Sequence, residues 1–333
     1  MTEAAVLAGV GGFLPPATVT NAELGARLGI TDEWIHSRTG IRERRVVAPG
    51  TSTADLAVEA GRRALASAGI PTVGAVLVAT TTPDHPMPAT APAVAARLGQ
   101  GTVPAFDLNA VCAGFVYGLA AGAGLIRGGL AGSVLVVGAD VFSSVVRSDD
   151  RVTGPLFGDG AGAVVLRAGH VDEPGALVAF DLGSDGELAE LIMVPGGGSR
   201  QRSGGRPPAP EEMYFTMDGK RVFAAAVRHM SRSSRAVLER LGRTPHDVDR
   251  IVGHQANVRI LHAVADQLDV PPDRLVMNIE RVGNTSAASI PLALCDAAAA
   301  GDLRPGEFVL LTAFGGGLAW GSTALTWPAV SPA

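Results

Sequence analysis

A chain of 333 residues is long enough for one large domain or two medium ones, each with a full core. A net charge of -5 without a dense Lys/Arg run excludes a general nucleic-acid binder, and two distant cysteines without metal-type spacing exclude a disulfide scaffold and a structural zinc site. With 43 glycines in a chain that is 47% hydrophobic, tight turns and close backbone approaches are expected, not disorder.

In chain order, the opening MTEAAVLAGVGGFLPP lacks a basic leader and breaks at Gly11, Gly12, Pro15 and Pro16, so Ala4 to Val10 reads as a first strand and not a signal peptide. A short helix is predicted from Asn21, taken as its cap, to about Leu28, followed by the amphipathic stretch Asp32 to Arg45. A helix over Thr53 to Ala68 is closed by Gly69. Ala75 to Thr80 has the pattern of a buried strand and leads into the Pro-rich TTTPDHPMPAT, then a helix over Ala91 to Leu98. Val103 to Leu108 is extended, Cys112 stands at a helix entrance, and the Ala/Gly-rich run to Arg127 forms that helix. Ser133 to Gly138 is a strand, Asp149 to Arg167 a loop feeding a Gly-rich strand, and Ser184 to Pro210 loop-like. A long helix runs from Asp218 to Leu241. No apolar run is long enough to span a membrane, so a cytoplasmic protein without membrane or nucleic-acid partners is expected.

The second half replays the first. Ala75 to Thr80 matches Arg250 to Gln255, and Val134 to Gly138 matches Val309 to Ala313, at an offset of about 175 positions; Cys112 falls opposite Asn284 at about 172. Two similar α/β halves follow, 1–172 and 173–333, whose strand-end loops converge on one pocket. Three polar residues then stand out. At a helix entrance, the dipole and free N–H groups are expected to lower the thiol pKa of Cys112 from its free value of about 8.5. His254 in GHQANVRI follows a buried strand, and Asn284 in RVGNTSAAS sits among small residues; an imidazole and a neutral amide suit an oxyanion or enolate. The glycines of AFGGGLAWG can present backbone N–H groups to a substrate oxygen.

NAVCAGF, GHQANVRI, GNTSAAS and AFGGGLAWGS together, over nearly the whole chain, resemble β-ketoacyl-acyl-carrier-protein synthase III. The resemblance implies a thiolase-like α/β fold with duplicated halves in a five-layered αβαβα arrangement, in a homodimer. It further implies that Cys112 takes an acyl group from acyl-CoA, and that His254 and Asn284 stabilise the enolate formed as malonyl-acyl carrier protein loses CO₂. The backbone N–H groups of Cys112 and Gly316 would form the oxyanion hole, and no metal or redox cofactor is required. Trp34, Arg38, Arg151 and Asn257 match CoA-binding positions, Phe157 an acyl-pocket wall, and Arg259 a contact to the acidic carrier protein.

Two departures from the family pattern matter. Ala224, Asp266 and Gln267 stand where relatives often carry lysines, with Lys220, Arg221 and Arg228 nearby as possible compensation. Met87 replaces a common Phe on the loop that in this family closes the partner's acyl pocket, which favours a primer larger than acetyl. Among alternatives, a papain-like protease lacks its flanking motif, and a thiolase would need a second catalytic cysteine, whereas Cys295 lies in a helix interior. An acyltransferase of the same fold, passing the acyl group to an alcohol or amine without condensation, stays open, as does an acyl-CoA-binding subunit.

Overall fold

The apolar run SVLVVGAD is stable as a strand only with both faces covered. In the computed structural model, which describes residues 3–333, it lies inside a six-stranded sheet. The order across that sheet is Ala105–Leu108, Ala75–Ala79, Ser133–Asp140, Gly160–His170, Glu3–Phe13 and Ala176–Leu177. The first three strands are mutually parallel and the others join antiparallel. A four-stranded sheet repeats the plan with Arg250–Gly253, Phe308–Gly315, Ala319–Thr326 and Phe180–Ser184, first parallel and then antiparallel. A single parallel bridge, Ile251 to Leu275, stands where the first sheet has its edge strand.

Alternation along the strands builds the layers. Leu77, Val134 and Val136 face inward, whereas Val76, Val78 and Leu135 face outward. Between the sheets lie the helices Gly114–Arg127 and Ser289–Ala300, whose Leu119, Ile126, Ile290 and Leu294 share one core with Leu311 and Trp327. Thr53–Ala68 and Ala91–Arg97 cover the outer face of the first sheet; Gly219–Arg240 and Val258–Leu268 cover that of the second. The chain thus forms the expected duplicated αβαβα fold.

Local chemistry sets the boundaries. Gly69 ends its helix at φ 63°, a left-handed conformation that glycine adopts without penalty. The cap of Asn21–Leu28 is Thr20 and not Asn21: the Thr20 side chain accepts from the Glu23 N–H while Glu23 reaches back. Asn21 is instead buried, donating to Asp32 and to the Ile41 carbonyl. The expected loop Ser184 to Pro210 carries a 3-10 stretch Gly186–Leu191, a short strand Ile192–Met193 and a helical turn Ser199–Ser203.

Gly138 fixes the contact between strand Ser133–Asp140 and the turn Ser286–Ala288. A Cβ there would sit 2.3 Å from the Ala287 carbonyl oxygen. Gly138→Ala is therefore expected to lower unfolding stability by about 1–3 kcal/mol, the usual cost of overpacking, as measured by denaturant titration.

Candidate functional site

Two helix-entry turns meet between the sheets. Val111–Ala113 leads from the strand Ala105–Leu108 into Gly114–Arg127, and Ser286–Ala288 leads into Ser289–Ala300. Each turn follows an asparagine that accepts from the N–H two residues on: Asn109 Oδ1 from Val111 at 3.2 Å, and Asn284 Oδ1 from Ser286 at 2.9 Å. Each then passes through a left-handed residue, Val111 at φ 49° and Ser286 at φ 52°. The internal correspondence is therefore Asn109 with Asn284 and Cys112 with Ala287, which corrects the expected pairing of Cys112 with Asn284. The constant ladder offset holds through the turns as well as the strands.

Cys112 is half-buried at the helix entrance, with Ser286 Oγ 3.6 Å from its Sγ. The expected lowering of its pKa is overturned. Burial pushes the thiol up to about 12, and the nearby Asp140 carboxylate adds to the rise, against a smaller opposing effect from the Ser286 hydrogen bond. The resting side chain is a neutral thiol. Desolvation by the surrounding protein outweighs a helix entrance whose first turn is a tight 3-10 segment. Cys295, partly buried in the helix Ser289–Ala300, is raised likewise to about 11, again by burial first.

His254 follows the strand Arg250–Gly253 and is buried, which lowers its pKa to about 3. Its Nδ1 lies 2.7 Å from Ser289 Oγ, and that same oxygen accepts from the Gln255 N–H at 3.4 Å. The Ser289 hydroxyl, with one proton and a second lone pair, can pair with Nδ1 in either tautomer of the neutral ring and fixes its orientation. Asn284 is tied on both sides: its N–H donates to the Leu156 carbonyl at 2.8 Å, and its own carbonyl accepts from the Gly158 N–H at 3.0 Å. With Oδ1 occupied by Ser286, its side-chain NH₂ is the group left over. Gly315 approaches so closely that a Cβ would lie 2.7 Å from the Cys112 nitrogen, and one on Gly316 would meet Val111 and Ile192.

The outlying residues fall in separate places. Arg38 lies over the Trp34 ring at 4.4 Å, so the guanidinium and indole stack on each other. Arg151 reaches toward Gly29 and lines an open cavity of about 670 Å³ with Arg147 and Phe215. Asn257 caps the helix Val258–Leu268 through the Arg259 N–H at 2.8 Å and donates to the Arg38 carbonyl at 2.8 Å, so it joins that helix to the Trp34 helix. Arg259 is exposed beside Phe223. Phe157 is buried and stacks on Phe142 at 4.1 Å, with Phe215 edge-on, whereas Met87 is 84% exposed on its loop.

A family model described as 3-oxoacyl-[acyl-carrier-protein] synthase III matches residues 106–186, and one for the C-terminal part of that enzyme matches residues 238–327. The β-ketoacyl-[acyl-carrier-protein] synthase III 5 of Streptomyces coelicolor is 59% identical over 331 residues, covering 99% of both chains. This chain belongs to the 3-oxoacyl-[acyl-carrier-protein] synthase III family. The crystal structure of the Pseudomonas aeruginosa member matches with a TM-score of 0.93 at 53% identity, over 99% of this chain and 100% of that one. The priming β-ketosynthase of the R1128 polyketide pathway matches with a TM-score of 0.91 at 35% identity, over 100% of this chain and 99% of that one. The chain is thus an enzyme of the condensing transferase class. Among the described residues no helix is long and apolar enough to cross a membrane.

Sequence reading missed Asp140, Ser286 and Ser289. Asp140 carried a legible signal, a carboxylate ending an unbroken apolar strand; the two serines lay unremarked inside the GNTSAAS motif.

The buried, neutral His254 makes a pH prediction. Its folded pKa of about 3 lies below the ordinary value, so the unfolded chain takes up a proton first on acidification. The stabilisation from this group is full above about pH 6.5 and is lost toward pH 3, with a slope of at most about 1.4 kcal/mol per pH unit. Denaturant unfolding at several pH values should show this loss in the natural protein and not in His254→Gln, so that the difference between the two curves isolates it.

Proposed function

We propose that the chain primes chain elongation: acyl-CoA acylates Cys112, and decarboxylative condensation with malonyl-acyl carrier protein then yields 3-ketoacyl-acyl carrier protein, CO₂ and CoA. One observation carries this reading. Asn284 Oδ1 is engaged by the Ser286 N–H and His254 Nδ1 is paired with Ser289 Oγ, which leaves the Asn284 Nδ2–H₂ as a donor and, with Ser289 donating to Nδ1, the His254 Nε2–H as a second. Two neutral donors suit a thioester carbonyl that becomes an enolate oxygen. As the bond to the carboxylate breaks, its electron pair enters the enolate; the enolate carbon attacks the acyl carbon on Cys112, and the bond to sulfur breaks.

The duplication supports the oxyanion hole. In the second turn, the N–H of Ala287, the counterpart of Cys112, donates to Asp140 Oδ2 at 3.1 Å. Asp140 corresponds to Gly315 in the strand ladders. One copy of the motif thus holds a carboxylate oxygen at its entry N–H. In the other copy glycines replace the side chain, and the N–H groups of Cys112 and Gly316 are left to the oxyanion of the acyl-transfer intermediates.

Transfer to an alcohol or amine calls for a base to take the acceptor's proton, and an imidazole held near pKa 3 is a poor one at neutral pH. Trp34, Arg38, Arg151 and Asn257 would hold CoA, and Arg259 would meet the acidic carrier protein. Met87, exposed in the single chain, would close the acyl pocket of a second copy in a homodimer, opposite the wall formed by Phe157. No metal or redox cofactor enters this scheme, and the enzyme would work in the cytoplasm.

Mixing with acyl-CoA should add one acyl mass to the natural protein and none to Cys112→Ala, read by intact-mass measurement. His254→Ala and Asn284→Ala should still acylate but lose 3-ketoacyl product and CO₂ release by roughly 10²- to 10³-fold. Ser289→Ala should lower condensation more than acylation. Among primers, branched or longer acyl-CoAs should outcompete acetyl-CoA, consistent with a flexible Met87.

A further inference from the structure

Acylation raises a question that the condensation residues do not answer: where the thiol proton goes. His254 is desolvated and its Nδ1 is engaged by Ser289. The hydroxyl at the sulfur belongs to Ser286, 3.6 Å from Sγ and held by the left-handed turn that copies the one at Val111. Asp140 is fully buried at the end of its strand; burial raises its pKa, and the neighbouring Ser286 hydroxyl is among the groups that oppose the rise. That carboxylate is surrounded by donors: Oδ1 accepts from the Thr81 N–H at 2.7 Å and from the hydroxyls of Thr80, Thr81 and Thr82 at 3.1 Å, and Oδ2 accepts from the Ala287 N–H. Among the described residues no arginine or lysine pairs with it; the other buried carboxyl whose field it shares is Asp159, itself held by Ser143 and the Val47 N–H. A desolvated carboxylate with many hydrogen bonds but no countercharge is a proton acceptor in waiting.

We propose that Cys112, Ser286 and Asp140 form a proton relay for the acylation step. The inference rests on the acyl-transfer role proposed for Cys112. As sulfur bonds to the acyl carbon, its proton passes to Ser286 Oγ and the Ser286 hydroxyl proton passes to Asp140. The bond from the acyl carbon to the CoA sulfur then breaks, and the proton returns through Ser286 to the leaving thiolate. Cysteine thiol and acyl-CoA become acyl-cysteine and CoA thiol, with Asp140 restored. Ser286 touches the reacting sulfur; Asp140 acts through Ser286.

The test compares acyl transfer with simple alkylation. Acylation by acyl-CoA is followed by rapid quench and intact mass, and Cys112 alkylation by iodoacetamide is followed across pH, for the natural protein, Asp140→Asn and Ser286→Ala. Removing the Asp140 charge removes a repulsion that raises the thiol pKa, so alkylation of Asp140→Asn at neutral pH should speed up. The relay requires its acylation to slow in spite of this, by roughly 10²-fold, the usual scale of lost acid–base assistance. Ser286→Ala should slow acylation by a similar factor, and it reports independently if Asp140→Asn does not fold. Acylation of Asp140→Asn that rises in step with alkylation, or of Ser286→Ala that stays within about threefold of the natural protein, overturns the relay. Failure of the natural protein to acylate would instead overturn the function on which it rests.

Discussion

The site depends on two helix-entry turns being pressed together between two sheets. Neither turn is comfortable alone: each holds a non-glycine residue in the left-handed region, and Val111 is β-branched, for which that conformation costs on the order of 1–3 kcal/mol. What holds them is contact without side chains. Gly315 against the Cys112 nitrogen and Gly138 against the Ala287 carbonyl leave no room for a Cβ, so backbone packs directly on backbone. The duplication supplies both surfaces at once, and the reactive sulfur and the Ser286 hydroxyl come from opposite members of the pair.

Burial at this seam sets the electrostatics. The thiol is neutral because ionising it would place a charge in a desolvated cleft near a carboxylate, and the imidazole is neutral for the same reason with the opposite sign. The thiol and the imidazole therefore carry no charge at rest. Dipoles already fixed by protein hydrogen bonds then act with little screening and without reorganising, the condition under which they favour a transition state over a ground state.

The fold and the residues that cluster at the candidate site were largely legible, for different reasons. Apolar runs such as AVLVA and SVLVVGAD specify doubly covered strands, and their recurrence at one spacing specifies duplicated halves. Cys112, His254 and Asn284 were legible as residue types beside glycine-rich turns. The sign of the thiol shift was not, because it depends on how deeply the turn is packed, and a helix entrance looks alike in sequence whether wet or dry. Nor was the register of the turns, which placed Ala287 rather than Asn284 opposite Cys112. The Thr20 cap was missed because Asn21 is the more familiar cap residue one position later; the capping box with Glu23 decides in favour of threonine.

Phe157 pairs with Asn284 in an isolated parallel bridge, and the hydrogen bonds on either side run from Asn284 to Leu156 and from Gly158 back to Asn284. An aromatic ring and a side-chain amide are thereby mounted on one short piece of ladder, with Phe142 stacked on the ring and Phe215 set edge-on to it. A guest pushing Phe157 aside, in the acyl-pocket role proposed for it, would pull on the same strap that carries Asn284. In the roles proposed for the two residues, the ladder would work as a gauge: the fit of whatever rests against the ring would be passed, through two backbone bonds, to the amide meant for the next reactant.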